Sequence, residues 1–232
     1  MKRAAIITAR GGSKRIPGKN TKLFLGSPII TYSIQAALAS GCFDEVMVST
    51  EDEGIAKLAR EAGAKVPFFR SKETADDYAT TTDVLLEVLS AYRERGQEFD
   101  LICCLYPTAP FVSDKRLKEA MTLLSENNAD SILPVVRYSF PPQRSVVIRD
   151  GLMQFTQPEH MFTRSQDLEP YYHDAGQFYC LRVKSFLEQK KIVMDKTLPL
   201  VLSDLEVQDI DTLEDWEIAE VKYQVLHREQ GL

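Results

Sequence analysis

Short apolar blocks alternate with longer amphipathic stretches along the first half of the chain. Ala4–Thr8, Glu45–Ser49, Lys65–Phe69, Leu101–Leu105 and Ser131–Val136 are brief, mainly apolar and bounded by polar or turn residues, as buried strands are. Residues 28–40 place Ile29, Ile30, Ile34, Ala37 and Leu38 at helical spacing, and Gly41 supplies the stop. Further helices are expected over about 52–62, 80–95 and 114–127. Strands alternating with helices of this length predict an α/β fold of three layers, α/β/α, with helices on both faces of a mainly parallel sheet.

The period is lost after Val136. Residues 138–174 carry Pro141, Pro142, Pro158 and Pro170, with Phe140, Phe155, Phe162, Tyr171 and Tyr172 scattered among polar groups. Asp150-Gly151 between Ser145–Arg149 and Leu152–Phe155 predicts a tight hairpin. The stretch 138–174 reads as an arm inserted into a single domain spanning 1–232. Its aromatics would otherwise be exposed, so a dimer contact is expected there. A strand at Gln177–Leu181 returns to the core. A short helix near 183–190, a strand near 198–202 and a closing helix over Leu213–His227 follow.

Composition narrows the class. Hydrophobic residues make up 44% of the 232, enough for a core. No apolar run approaches the roughly 20 residues that span a bilayer, and Ala4–Thr8 is too short for a signal peptide. A cytoplasmic protein with no membrane partner is expected. Cys42, Cys103, Cys104 and Cys180 form no metal-binding or CxxC spacing and read as free thiols, Cys103 and Cys104 facing opposite sides of a strand. The net charge of −6 argues against nucleic acid as a partner. Its distribution is uneven. Residues 1–43 hold seven Lys/Arg and no acid, which leaves 21 basic and 34 acidic residues, a net −13, in 44–232. A cationic segment in an acidic chain predicts a local anion site.

That segment contains Ala9-Arg10-Gly11-Gly12-Ser13-Lys14-Arg15-Ile16-Pro17-Gly18-Lys19-Asn20, directly after the first strand. Ligands of open α/β sheets bind beyond the carboxyl ends of the strands. Gly11 and Gly12 allow close backbone approach to an anion, Arg10 offers a planar fork, and Lys14 and Lys19 offer point charges. Neither a Gly-x-Gly-x-x-Gly run nor a P-loop is present, which disfavours dinucleotide oxidoreductases and P-loop NTPases.

The run Ala9–Asn20 resembles the N-terminal motif of the CMP-sialic acid synthetase family, the cytidylyltransferases that make CMP-activated acidic sugars. Similarity continues at Val48-Ser49-Thr50, Arg70, Asp77–Thr82, Pro107-Thr108-Ala109-Pro110 and Asp209-Ile210-Asp211-Thr212. The resemblance implies a Rossmann-like fold, a homodimer, and attack of a sugar's anomeric hydroxyl on the α-phosphorus of CTP with loss of pyrophosphate. Arg10 and Lys19 fall at family positions that touch the triphosphate, with Lys14 between them. Thr8, Ala9, Arg10, Gly11, Gly12, Ser13, Asn20, Arg70, Ala79 and Thr81 are implied to bind the nucleotide. Asp209 and Asp211, placed on one side of an extended segment by Ile210, are implied to hold Mg²⁺. Each has a plainer reading: Arg70 paired with Asp76 or Asp77, Thr80–Thr82 as a helix cap, Asp211 or Thr212 as another.

Sialic acid synthetases usually carry Gln-Pro-Thr-Ser-Pro and Arg-x-Asn-Gly where this chain has Tyr106-Pro107-Thr108-Ala109-Pro110 and His173-Asp174-Ala175-Gly176. Those stretches are more similar to pseudaminic acid cytidylyltransferases. The resemblance implies a nine-carbon acidic sugar as partner, met by Tyr106, Thr108, Arg164, His173, Asp174, Gln177 and Tyr179, with Arg164 on the sugar carboxylate or, alternatively, in an ion pair within the arm. The alternatives are synthesis of CMP-sialic or CMP-legionaminic acid, another nucleotidyltransferase acting on a sugar phosphate, and a non-catalytic nucleotide-binding module.

Overall fold

The computed structural model describes residues 1–76 and 78–228. Its elements are β1 (Arg3–Thr8), β2 (Leu23–Phe24), β3 (Ser27–Pro28), α1 (Ile29–Ser40), β4 (Glu45–Ser49), α2 (Glu53–Glu61), α3 (Thr81–Glu94), β5 (Leu101–Leu105), α4 (Asp114–Glu126), β6 (Ser131–Arg137), β7 (Val146–Arg149), β8 (Leu152–Phe155), β9 (Tyr172–Asp174), β10 (Phe178–Arg182), α5 (Val183–Gln189), β11 (Thr197–Leu202) and α6 (Leu213–Arg228). The central sheet runs β11-β6-β10-β5-β1-β4, with β9 also paired to β6. β4, β1 and β5 are mutually parallel, as are β6 and β11, while β10 lies antiparallel between β5 and β6.

The alternation of side chains along β1 and β5 builds the layers. Ala5, Ile7, Cys103 and Leu105 face a core closed by α1, α2 and α4, whereas Ala4, Ile6, Ile102 and Cys104 face one closed by α3 and α5. The two neighbouring cysteines thus lie on opposite faces, and all four are free thiols. Helix ends are set by local chemistry. Gly41 ends α1 at φ 60°, the Asp52 carboxylate accepts from the Ile55 N–H to start α2, and Thr80 and Asp83 form a reciprocal box at the start of α3.

The expected strand at Lys65–Phe69 does not form. A single bridge joins Lys65 to Met47, and Pro67, which has no N–H to donate, stands where the ladder would continue. The segment still runs beside β4 far enough to bring Arg70 to Thr50, whose carbonyl accepts the Arg70 N–H at 2.9 Å.

The arm departs from the end of β6 and returns through β9. Asp150 and Gly151, both with positive φ, turn the β7–β8 hairpin in the expected register. Phe140 and Phe162 are each nearly 90% exposed. On the return, Asp174 opposes Val135 and Cys180 opposes Ile132, so one strand advances six residues while β6 advances three. The three extra residues, Ala175 to Gln177, form a kink opposite Pro134, with Gly176 at φ 63°.

One ion pair fixes the segment between β11 and α6. The Glu206 carboxylate takes two bonds from the Arg116 guanidinium, at 2.7 and 2.9 Å, and also caps Ser203, while its carbonyl accepts from the Gln177 amide at 2.5 Å. These bonds, led by Arg116, hold the Glu206 carboxyl at about 2, below the ordinary 4.5. A depressed carboxyl stabilises the fold above its unfolded pKa and loses that contribution as pH falls through the folded value. Relative to Glu206→Gln, the native chain is expected to be more stable by about 1–2 kcal/mol above pH 5, after discounting for solvent screening, with the difference fading between about pH 4.5 and 2. Urea denaturation across that range checks this; a difference independent of pH would contradict it.

Candidate active site

Beyond the carboxyl ends of β1 and β5 lies a cavity of about 490 Å³, lined by Thr8, Arg10, Ser13, Lys14, Arg15, Lys19, Asn20, Arg70, Thr74, Asp76, Ala79, Thr81, Val84, Tyr106, Pro107, Thr108 and Asp211. Most residues singled out for the nucleotide meet there. The loop after β1 is pinned from within: the Asn20 amide donates to the Arg10 carbonyl at 2.8 Å, and the Arg10 guanidinium donates to the Asp76 carbonyl at 3.1 Å. Asp76 turns its carboxylate onto the N–H groups of Tyr78 and Ala79. Asp77 lies outside the described residues.

Arg70 is buried, and two of its donors are spent on Ser49, Nε on the hydroxyl at 3.0 Å and an Nη on the carbonyl at 2.7 Å. Burial pulls the guanidinium down from its ordinary value, while Glu51 and Glu87 nearby hold it up. Tyr106 replaces the glutamine of the sialic pattern. Its hydroxyl meets Thr81 at 3.2 Å, its ring stands edge-on to Tyr179 at 5.6 Å, and burial raises its pKa.

Cations and carboxylates meet at the far wall. Asp211 pairs with Arg15 at 2.7 Å and Lys19 at 3.7 Å. Burial lowers the Lys19 ammonium, and Asp211 and Asp209 work against that shift. The cap on α6 is made by Thr212 and Asp215, which exchange bonds at 2.8 and 3.2 Å, so the Asp211 carboxylate stays turned to the cations. Ile210 is 1% exposed and anchors the segment between the two acids. Asp209 lines a second cavity, of about 370 Å³, together with Val136, His173, Asp174, Gly176 and Lys222. The segment Asp209-Ile210-Asp211 thus borders both cavities, and both of its acids act on Lys19 in the first.

The sequence profile of the family described as Cytidylyltransferase matches residues 4–209. The chain belongs to the cytidylyltransferase family. It is 42% identical over 228 residues to a pseudaminic acid cytidylyltransferase of Campylobacter jejuni, covering 98% of both chains. It is 35% identical over 229 residues to a CMP-N,N'-diacetyllegionaminic acid synthase of Legionella pneumophila, covering 95% of both. Among solved structures, a CMP-2-keto-3-deoxy-manno-octonic acid synthetase complexed with CTP superposes with a TM-score of 0.70 over 99% of this chain and all of that one, at 19% identity, a likeness of fold.

In this cytidylyltransferase several expected residues stand apart from the nucleotide cavity. Arg164 forms a two-bond pair with Asp167 in the arm, at 2.7 and 3.1 Å. The Gln177 side chain is buried against the Glu206 carbonyl, and Tyr179 donates to Asp174 at 2.7 Å. Ala9, Gly11 and Gly12 do not line it, and the Ala9 side chain is buried in the core. The Gly11 N–H donates to Glu51 at 2.6 Å, and a Cβ on Gly11 would come within 2.9 Å of the Asp52 carboxylate. Gly11 is thus a glycine because the loop lies hard against the β4–α2 turn. Glu51 and Arg15 were not singled out from the sequence as site residues; only Arg15's place in the basic run hinted at its use.

Gly11→Ala must displace the Asp52 carboxylate that starts α2, or the loop itself, and overpacking of this kind costs about 1–3 kcal/mol. CTP affinity is expected to fall about tenfold or more, since each 1.4 kcal/mol is a factor of ten. Calorimetric titration checks this, and a wild-type dissociation constant would contradict it.

Proposed function

We propose that this cytidylyltransferase moves CMP from CTP to the anomeric hydroxyl of pseudaminic acid, or a close 5,7-diacetamido relative, and releases pyrophosphate. The observation that carries the reading is the pair of cavities bordered by Asp209-Ile210-Asp211, one lined by cations suited to a nucleoside triphosphate, the other lined by His173 and Asp174. The similarity to a pseudaminic acid enzyme over nearly the whole chain supports the choice of sugar. So do Tyr106 and His173–Gly176, where the chain departs from the sialic pattern.

In this reading Thr8, Ala9, Arg70, Ala79 and Thr81 receive the base and ribose, with Ser13 and Asn20 on the phosphate side. Arg10, Lys14 and Lys19 stabilise charge that builds on the departing pyrophosphate, and removal of one such cation costs on the order of 2–4 kcal/mol in the barrier. Among the described residues no group of three metal-ligating side chains exists. Two carboxylates on one extended segment still fit Mg²⁺, which binds through one or two carboxylates and takes phosphate oxygens and water for the rest. Asp209 and Asp211 would hold it, and when bound it offsets charge on the triphosphate. Asp211 also supports the charge of Lys19 in its absence.

The arm, 138–174, is proposed as the dimer contact that completes the sugar pocket, on the strength of its exposed Phe140 and Phe162. Among the described residues no helix is long and apolar enough to cross a membrane, and the four free thiols suit a reducing, cytoplasmic location.

Pyrophosphate release with CTP and Mg²⁺ across a panel of nine-carbon acidic sugars tests the reading. Pseudaminic acid is expected to lead N-acetylneuraminic acid in kcat/KM by about 10³, the scale reached by sites that hydrogen-bond particular groups. Asp209→Asn and Asp211→Asn should each lose most turnover yet retain CTP binding. Equal kcat/KM for the two sugars would overturn the specificity, a lead by legionaminic acid would reassign it, and full turnover by both variants at saturating Mg²⁺ would overturn the metal assignment.

A further inference from the structure

We infer that His173 is the general base that takes the proton from the attacking hydroxyl. The inference rests on the function proposed above and assigns a catalytic residue within it. His173 Nδ1 lies 2.9 Å from the Asp174 carbonyl oxygen. A carbonyl only accepts, so in this contact Nδ1 carries the hydrogen. The neutral ring therefore presents a bare lone pair at Nε2, the state a base requires.

The ring is held as well as polarised. It packs on Tyr138 with centroids 4.7 Å apart, and its backbone pairs with Val136 in the β6–β9 ladder. The Asp174 carboxylate accepts in turn from Tyr179 and the Gly176 N–H, at 2.7 and 2.8 Å, which tethers the residue whose carbonyl orients the imidazole. A ring oriented through Nδ1, with Nε2 left to accept, on a residue that lines a cavity is what proton abstraction needs. His173 lines the same cavity as Asp209, and Asp211, two residues on, faces the triphosphate cavity. An acceptor bound beside His173 therefore lies next to the segment that borders the phosphates.

The step balances. Nε2 takes the hydroxyl proton as the sugar oxygen forms its bond to the α-phosphorus. The bond from that phosphorus to the bridging oxygen breaks, its electron pair leaving on pyrophosphate, and the imidazolium returns its proton to water. Charged or titratable groups facing the ring or its strand are Asp174, Asp204, Asp209, Lys222, Tyr138 and Arg137.

His173→Gln and His173→Ala in the full chain test the assignment. Turnover with pseudaminic acid is expected to fall by about 10²–10⁴, the contribution of a general base. CTP affinity by calorimetry and the thermal midpoint stay at wild-type values, and KM for the sugar changes by less than about threefold. Imidazole should restore part of the turnover of His173→Ala. Turnover by His173→Gln near that of wild type, a loss confined to KM, or no rescue of His173→Ala by imidazole would overturn the base assignment alone. A wild-type chain that releases no pyrophosphate with any nine-carbon acidic sugar would overturn the functional reading with it.

Discussion

A small hydrophobic cluster beneath the cationic cavity is the constraint on which the site depends. Ile16 comes from the loop after β1, Phe24 from β2, Phe111 from the loop after β5, Ile210 from the acidic segment, and Trp216 and Ala219 from α6. The loops that carry Ile16, Phe111 and Ile210 belong to no strand or helix. Burial of their apolar side chains against one another holds them, at roughly 25 cal/mol for each Å² removed from water. Phe24 is the hub, edge-on to Tyr32, Trp216 and Tyr223 at 5.4–5.6 Å, and Lys22 lies over the Trp216 ring at 4.8 Å. With Ile16 and Ile210 in one cluster, the loop of cations and the pair of carboxylates are brought to the same wall.

Electrostatics then act on positions that packing has set. Asp211 faces Arg15 and Lys19 in the free chain, so each charge is compensated before any ligand arrives. Mg²⁺ would enter among these charges on the proposed reading, and a triphosphate brings the negative charge that releases the cations from Asp211. From the first cavity toward the second, hydroxyl and carboxylate contacts run from Thr81 through Tyr106 and Tyr179 to Asp174. Burial drives the Tyr179 phenol far above its ordinary pKa, with Tyr106 and Asp174 adding to the shift, so it remains a donor to Asp174. The chain of contacts links the floor of one cavity to the rim of the other.

Much of the fold was legible in the sequence because burial on a sheet leaves a period. β1, β4, β5 and their flanking helices fall within a residue or two of the expected bounds, and Asp150-Gly151 turns the hairpin it predicted. Lys65–Phe69 misled because its apolar run was genuine while Pro67 removed a ladder donor. β2, β3 and β9 are two or three residues long, too short to show a period. At the site, the cations were legible from charge density and the glycines from their type, but the role of Gly11 depends on Glu51 and Asp52, forty residues away. Gln177 and Arg164 carry polar groups suited to a sugar, yet Gln177 is spent on Glu206 and Arg164 on Asp167. Such pairings are tertiary facts with no local signature.

Ile210 is the anchor that sets two carboxylates against the cationic loop. Ile210→Ala leaves a cavity costing about 2–5 kcal/mol, so turnover must be read at a temperature where circular dichroism shows the variant fully folded. The measurement is kcat for CMP transfer at saturating CTP, Mg²⁺ and sugar. A fall of about tenfold or more in the folded variant, equivalent to at least 1.4 kcal/mol in the barrier, is predicted. A folded Ile210→Ala chain turning over at the wild-type rate would contradict the claim that this cluster positions the catalytic groups.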